Sequence, residues 1–256
     1  MTVVTNQPTL QVNNLSKHYG GVYALADVSL SFREGEVTAI VGDNGAGKST
    51  LLKAICGALV PDAGDIRVRG LPFAFKGPND AREAGIETVH QDLALANNLT
   101  VAQNMFLGRE ETSGFWPFKF LRARRMNQRA YETINSLSVN VPSSQATVEE
   151  LSGGQRQAIA IARATTWGNL VVLMDEPTAA LGVTETSRVE HLITTLRERG
   201  LCVVIVSHDL GQVFRVSDRI AVMRQGRLVA HLVTNESSGD ELLGLITGLK
   251  ESSGRE

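Results

Sequence analysis

Five residues, Val37 to Val41, all apolar but Thr38, run straight into Gly42-Asp43-Asn44-Gly45-Ala46-Gly47-Lys48-Ser49-Thr50. A short apolar run that stops at glycines and is followed by the helical periodicity of Ser49 to Ala58 reads as strand, tight loop and helix. Such a strand needs cover on both faces, which commits the chain to an α/β layering. The loop has the spacing G-x-x-x-x-G-K-S in the context that gives it meaning, after a strand and before a helix. Glycine at Gly45 and Gly47 lets the main chain turn tightly and approach an anion, while the next helix aims its partly positive end at the same charge. Lys48 adds a mobile cation for the outer phosphates, and Ser49 offers a hydroxyl to Mg2+. The competing reading is a plain glycine-rich turn; the strand-then-helix context weighs against it.

The same alternation returns later as strand Leu170 to Met174, helix Glu185 to Arg199 closed by Gly200, strand Cys202 to Val206 and helix Leu210 to Val216. Strands Arg219 to Arg224 and Arg227 to Val233 flank the turn Gln225-Gly226, and a short helix lies near Glu241 to Ile246. Thr9 to Phe32 alternates apolar and polar around Gly20 and Gly21, as antiparallel strands do. Leu99 to Ala164 reads mostly as helix, with Val101 to Leu107, Arg122 to Leu137 and Gly153 to Ala164 separated by a loop around Phe115, Trp116 and Pro117. The expected organisation is an α/β core over 1–94 and 168–250, a helical subdomain inserted over 95–167, and a polar tail over 251–256. Arg122, Arg124, Arg125 and Arg129 read first as a solvated helical face.

Three further stretches point at chemistry. The apolar strand ending in Asp175-Glu176 delivers two carboxylates to the carboxyl edge of a parallel sheet, where open α/β folds bind ligands. Asp175 suits a Mg2+ shell and Glu176 can polarise water, although an isolated pair of this kind is more often a cap or a loop acid. Val203 to Val206 leads in the same way to Ser207-His208, bringing an imidazole to that edge. Leu151-Ser152-Gly153-Gly154-Gln155 opens a helix and is richer in glycine than a helix start needs unless something approaches its backbone; Ser152 and the glycine N–H groups would form a second anion cradle.

Composition narrows the role. The 256 residues, 43% of them hydrophobic, can bury a large core. A formal net charge of -2 gives no basic footprint for nucleic acid, which is not an expected partner. Apolar runs fall far short of the ~20 residues a membrane span needs. Met1 to Leu10 lacks the pattern of a signal peptide, so a cytosolic chain that meets a membrane only through partners is expected. Cys56, in the first predicted helix, and Cys202, opening a strand, are too far apart in sequence for a short-spaced metal or redox motif and read as buried apolar residues.

Taken together, Gly42 to Ser49, Gln91, Leu151 to Gln155, Asp175-Glu176 and His208, in that order, resemble the ATP-binding subunits of ABC transporters over nearly the whole chain. The pentapeptide discriminates, because many nucleotide-binding families share only the phosphate loop and the acidic strand end. The resemblance implies a phosphate-loop α/β fold, ATP and Mg2+ as cofactors, and a head-to-tail pair of copies. Each ATP would lie between the Gly42–Thr50 loop of one copy and Ser152, Gly153, Gly154 and Gln155 of the other. It further implies Tyr19 on adenine, Ser49, Gln91 and Asp175 around Mg2+, and Glu176, His208 and Gln91 in hydrolysis. Gly85 to Glu110 and Pro177 to Val183 resemble the monosaccharide importer branch. That implies separate membrane permease subunits, indirectly a solute-binding protein, and a peripheral place on the cytoplasmic face of the membrane. The rival readings are an exporter subunit, a soluble ATPase of the same family without a transport role, and a non-enzymatic nucleotide sensor. Three departures stand out: one phosphate loop and one pentapeptide where that branch often fuses two halves, Gly182 where most transporter ATPases have aspartate, and His90 where an aromatic residue is common, which reads as variation within a strand and not as a metal ligand.

Overall fold

The computed structural model describes residues 7–115 and 118–250; residues 1–6, Trp116 and Pro117 of the expected loop, and the expected tail 251–256 lie outside the described residues. In chain order the elements are β1 (Leu10–Tyr19), β2 (Val22–Phe32), β3 (Val37–Val41), α1 (Lys48–Ile55), β4 (Ala63–Val68), β5 (Leu71–Phe73), α2 (Pro78–Glu83) and β6 (Ile86–Val89). Then come α3 (Val101–Phe106), β7 (Thr112–Ser113), β8 (Phe120–Leu121), α4 (Ala123–Ser136), α5 (Gly153–Trp167), β9 (Val171–Asp175) and α6 (Val183–Glu198). The chain continues through β10 (Cys202–Val206), α7 (Leu210–Val216), β11 (Arg219–Arg224), β12 (Arg227–Val233) and α8 (Gly239–Thr247).

The strands form an antiparallel sheet in the order β2-β1-β4-β5 and a six-stranded sheet in the order β12-β11-β3-β10-β9-β6. In the second, β11, β3, β10, β9 and β6 run parallel and only β12 is antiparallel. Their sequences explain why. On β3, β9 and β10 side chains alternate between two cores. Val37, Ala39, Val41, Val172, Met174, Val203 and Ile205 pack toward the helices α3 to α6. Ile40, Val171, Leu173, Cys202, Val204 and Val206 pack toward α1 and the antiparallel sheet. A strand buried on both faces has no polar side to show, which is why these read as apolar runs broken only by the buried Thr38 and the terminal Asp175.

Three expectations shift. The first helix ends at Ile55, not Ala58, so Cys56 lies just beyond it as the C-cap. Gly57 then turns at φ +73, with the Gly77 carbonyl so close that a Cβ would meet its oxygen at 2.6 Å. His90 lies past the end of β6, exposed, and not in a strand. The stretch expected to be mostly helical also holds the small hairpin β7–β8. Both cysteines are buried and free, and burial pushes the Cys202 thiol up, consistent with an inert packing role.

Candidate active site

Four parallel strands, β3, β10, β9 and β6, lie side by side and release their chain ends at one edge. That edge therefore collects the loop from Gly42, the pair Ser207-His208, the pair Asp175-Glu176 and the turn His90-Gln91. The topology brings together residues spread over more than half of the chain.

The loop owes its shape to close packing within the chain. Gly42 takes φ +149, and a Cβ there would run into the Met223 carbonyl oxygen of β11. Gly47 takes φ +102, and a Cβ would sit 2.5 Å from the Ala24 carbonyl oxygen of β2. Gly45, at φ +80, has nothing within 4 Å of where a Cβ would be, so it needs glycine for its backbone conformation and leaves open space above the loop. Lys48 Nζ curls back to donate to the carbonyls of Gly42 at 2.7 Å and Asp43 at 2.9 Å. Burial pushes its pKa down, opposed by Glu176, Asp43 and Asp175, which places its charge among the two strand-end acids. Asp43, Asn44, Gly45 and Ser49 are exposed and Thr50 half-buried, whereas Ala46 is buried under the loop. An anion resting on this surface meets N–H groups and a lysine without displacing any packed side chain.

Beside the loop, Glu176 sits in the left-handed region at φ +49, and its N–H donates to the Val206 carbonyl of β10 at 2.9 Å. A non-glycine residue is strained there, and the carboxylate lies beside the residues that follow β10. It meets His208, whose Nδ1 lies 3.2 Å from Glu176 Oε1. Ser207 accepts from the Asp209 N–H through Oγ, and Asp209 caps α7, which fixes the turn that holds the imidazole. Asp175 has its pKa raised, first by burial and then by its neighbour Glu176, with His90, Lys48 and Lys53 acting the other way. Two adjacent acids of which one resists ionising make a seat that a divalent cation would relieve. No cluster of three or more His, Cys, Asp or Glu side chains among the described residues could hold a metal alone. The donor set fits Mg2+, which takes one or two carboxylates, a hydroxyl such as that of Ser49 and phosphate oxygens in preference to an all-protein cage.

Gln91 is exposed in the turn after β6. The turn is held from α5, where Arg163 donates to the carbonyls of Leu93 at 2.9 Å and Ala94 at 2.7 Å. Sequence reading missed Arg163; its signal was a cation one turn after Ile159, on the buried face of the helix that the pentapeptide opens. Tyr19 lies at the end of β1, 58% exposed, with Lys17 Nζ 5.8 Å from its ring centre and a free aromatic face.

The pentapeptide lies apart. Among the described residues, no hydrogen bond or ion pair joins Ser152, Gly153, Gly154 or Gln155 to the Gly42–Thr50 loop, Asp175, Glu176 or His208. Ser152 caps α5, with its Oγ accepting from Gln155 N at 3.3 Å while Gln155 Oε1 accepts from Ser152 N at 2.9 Å. The expected cradle holds an anion supplied by the chain itself: Glu185 of α6 accepts from Gly154 N at 3.4 Å and Gly182 N at 3.3 Å. Those N–H groups, then the Ser152 side chain, hold its carboxyl below the usual range. A Cβ on Gly154 would meet the Glu185 chain at 2.8 Å, so this glycine answers in part to Glu185.

The sequence profile described as ABC transporter matches residues 25–179. The fructose import ATP-binding protein FrcA of Rhizobium meliloti is 45% identical over 253 residues, 97% of each chain. The xylose/arabinose import ATP-binding protein XylG of Sulfolobus acidocaldarius is 43% identical, with 93% of each chain covered. The ribose import ATP-binding protein RbsA of Yersinia pestis is 38% identical over 94% of this chain but only 46% of its own length. Among solved structures, cbiO1 of Clostridium perfringens, part of an ABC transporter complex, superposes with TM-score 0.78 at 26% identity over 96% of both chains. An ATP-binding cassette solved in its ADP conformation gives 0.77 at 26% identity over 95% of this chain and 96% of its own. The chain belongs to the ABC transporter family and is one of its ATP-hydrolysing subunits.

Proposed function

We propose that this subunit hydrolyses ATP to drive import of a monosaccharide through a separate permease, working as a dimer at the cytoplasmic face of the membrane. The family carries the hydrolysis. The sugar rests on three relatives whose names specify fructose, xylose/arabinose and ribose import. No helix among the described residues is long and apolar enough to cross a membrane; in this reading partner permease subunits form the solute path. A solute-binding protein outside the membrane would deliver the sugar.

The observation that carries the catalytic reading is the juxtaposition of Glu176 and His208 beside the loop lysine. In this reading the open surface at Gly45, the loop N–H groups and Lys48 hold the triphosphate, and Tyr19 stacks on the base. Bound Mg2+ would supply offsetting charge for the phosphates, held by Ser49, Asp175 and Gln91. Glu176 takes a proton from a water whose oxygen forms the new bond to the terminal phosphorus as the bond to ADP breaks. His208 orients Glu176 through Nδ1 and leaves its other ring nitrogen for the phosphate. Ser152 and the N–H groups of Gly153, Gly154 and Gln155 serve the nucleotide of the opposite copy. Residues 95–167 would then move as a unit, with Arg163 linking the Gln91 turn to α5.

Glu176→Gln tests the base. Phosphate release should fall by about 10^2- to 10^4-fold while ATP still binds and dimers accumulate in size-exclusion chromatography. Turnover at the wild-type rate would remove Glu176 from the mechanism.

A further inference from the structure

The hairpin β7–β8 has no part in the site just described, and its construction is unusual. Phe115, Phe118, Phe120 and Leu121 are 75, 62, 68 and 62% exposed, four large apolar side chains within seven residues. Phe115 and Phe118 meet edge-on, ring centres 6.2 Å apart, in solvent. This is a built feature. Gly114 turns at φ +98, where a Cβ would run into the Phe118 carbonyl oxygen. Thr112 pairs with Leu121 and Ser113 with Phe120, and Arg122 N donates to the Glu111 carbonyl at 2.8 Å.

The base is locked to the body. Glu111 takes Arg125 at 2.9 Å and also Arg129, and the Arg129 guanidinium lies 5.5 Å from the Phe106 ring centre and 5.7 Å from that of Trp167. Arg109 spans Glu87 of β6 at 2.5 Å and the Trp167 ring at 5.0 Å. Thus two of the four arginines expected on a solvated helix face are structural. Lys119, Arg122 and Arg124 are exposed and, among the described residues, in no ion pair. From Glu110 to Arg129 five cations stand against two acids, in a chain of net charge -2.

Exposed aromatics interleaved with unpaired cations on a hairpin whose base is anchored match the chemistry of the bilayer interface, where aromatic rings sit at headgroup depth and basic side chains meet anionic lipid. Through Arg109 and Glu87 the base of the ribbon is tied to β6, the strand that leads to Gln91. We propose that residues 112–115 and 118–124 form a lipid-contacting ribbon that rests on anionic headgroups. Four large apolar side chains exposed together on one hairpin, and not scattered singly, mark an interaction site. The biological setting rests on the transporter reading; binding to lipid requires neither permease nor hydrolysis, so the two can fail separately.

The test is sedimentation of the full chain with vesicles of phosphatidylcholine alone and of phosphatidylcholine with phosphatidylglycerol, at low and high salt. With three free cations, the anionic vesicles should be favoured by about a hundredfold at low salt, and high salt should erase most of that preference. Phe115→Ser with Phe118→Ser and Phe120→Ser, and separately Lys119→Glu with Arg122→Glu and Arg124→Glu, should lose the binding. Both variants should keep wild-type ATPase activity and melting temperature, since none of these residues touches the site. A second serine series, restricted to Phe115 and Phe118, covers the case in which the triple variant misfolds. Equal binding of wild type to both vesicles, or undiminished binding by the variants, overturns the proposal. So does loss of permease assembly in lipid-free detergent with lipid binding intact, which would make the ribbon a protein contact.

Discussion

Glycine in the phosphate loop does two jobs that the sequence pattern does not separate. Gly45 needs only its positive φ, whereas Gly47 needs positive φ and the absence of a Cβ against Ala24. Gly45→Ala should therefore cost about 1 kcal/mol in stability, and Gly47→Ala more than twice that, because the β2 backbone it strikes cannot rotate away. Urea unfolding of both variants checks the ranking, and equal costs would refute it. Sequence reading assigned both glycines to phosphate approach, since the chain segment that crowds Gly47 arrives from a strand that no local pattern links to the loop. His231 gives a pH prediction. Burial, then Arg219 and Arg33, push its pKa down to about 4, and its Nε2 has no hydrogen-bond partner. Glu236 and Glu241 line the same cleft, and Glu36 holds Arg219 at 3.1 Å. The folded state prefers the neutral ring, so the unfolded chain binds the proton first. Stability is complete above the unfolded pKa near 6.5 and declines as pH falls toward about 4. Melting curves between those limits should show a shallower decline for His231→Leu than for wild type.

At the level of elements, what the sequence made legible were the long apolar strands and the capped helices. β10, α7, β11 and β12 fall where periodicity puts them, and Ser152 with Gln155 forms the capping box that starts α5. The stretch between α1 and Gln91 was not read, for physical reasons. β4 buries only Ile66 and Val68, β5 has three residues with a central proline, and α2 is six residues, five of them polar or proline. These elements are too short for a period to emerge and owe their form to the sheet they complete. The candidate site was legible as separate motifs, but its links were not. Arg163 joins α5 to the Gln91 turn across about seventy residues, a pairing that only tertiary structure makes. Arg163→Lys keeps the charge and loses the fork that reaches two carbonyls at once. The expected result is a lower kcat with little change in KM for ATP, because the loop that binds phosphate is untouched. An unchanged kcat would leave Arg163 a packing residue.

For the whole molecule, the informative fact is that the pentapeptide makes no bond to the phosphate loop of its own chain while its cradle is already held by Glu185. A site that uses both motifs has to draw them from two copies, and two-fold symmetry then gives two such sites. Gly182, the departure from the common aspartate, has no side chain to cap α6; Glu185 reaches back to its N–H in place of that cap. The carboxylate thus ties the turn before α6 to the start of α5, and a γ-phosphate arriving from the opposite copy would compete with it for Gly154 N–H and Ser152. Complementation decides whether the sites are shared. Lys48→Ala ruins one half of each site and Ser152→Glu the other, so either variant alone should be inactive. When equal amounts are mixed, half of the dimers pair the two variants, and each of these has one intact site, formed by the loop of the Ser152→Glu copy and the pentapeptide of the Lys48→Ala copy. Phosphate release should recover to about a quarter of the wild-type rate if the sites work independently, and to less if each needs the other. No recovery, with mixed dimers demonstrated by pull-down of differently tagged copies, would mean either strict coupling or unshared sites. Wild-type chain mixed with Lys48→Ala separates these: strict coupling makes the inactive copy suppress the active one, whereas unshared sites leave the wild-type copies at full rate.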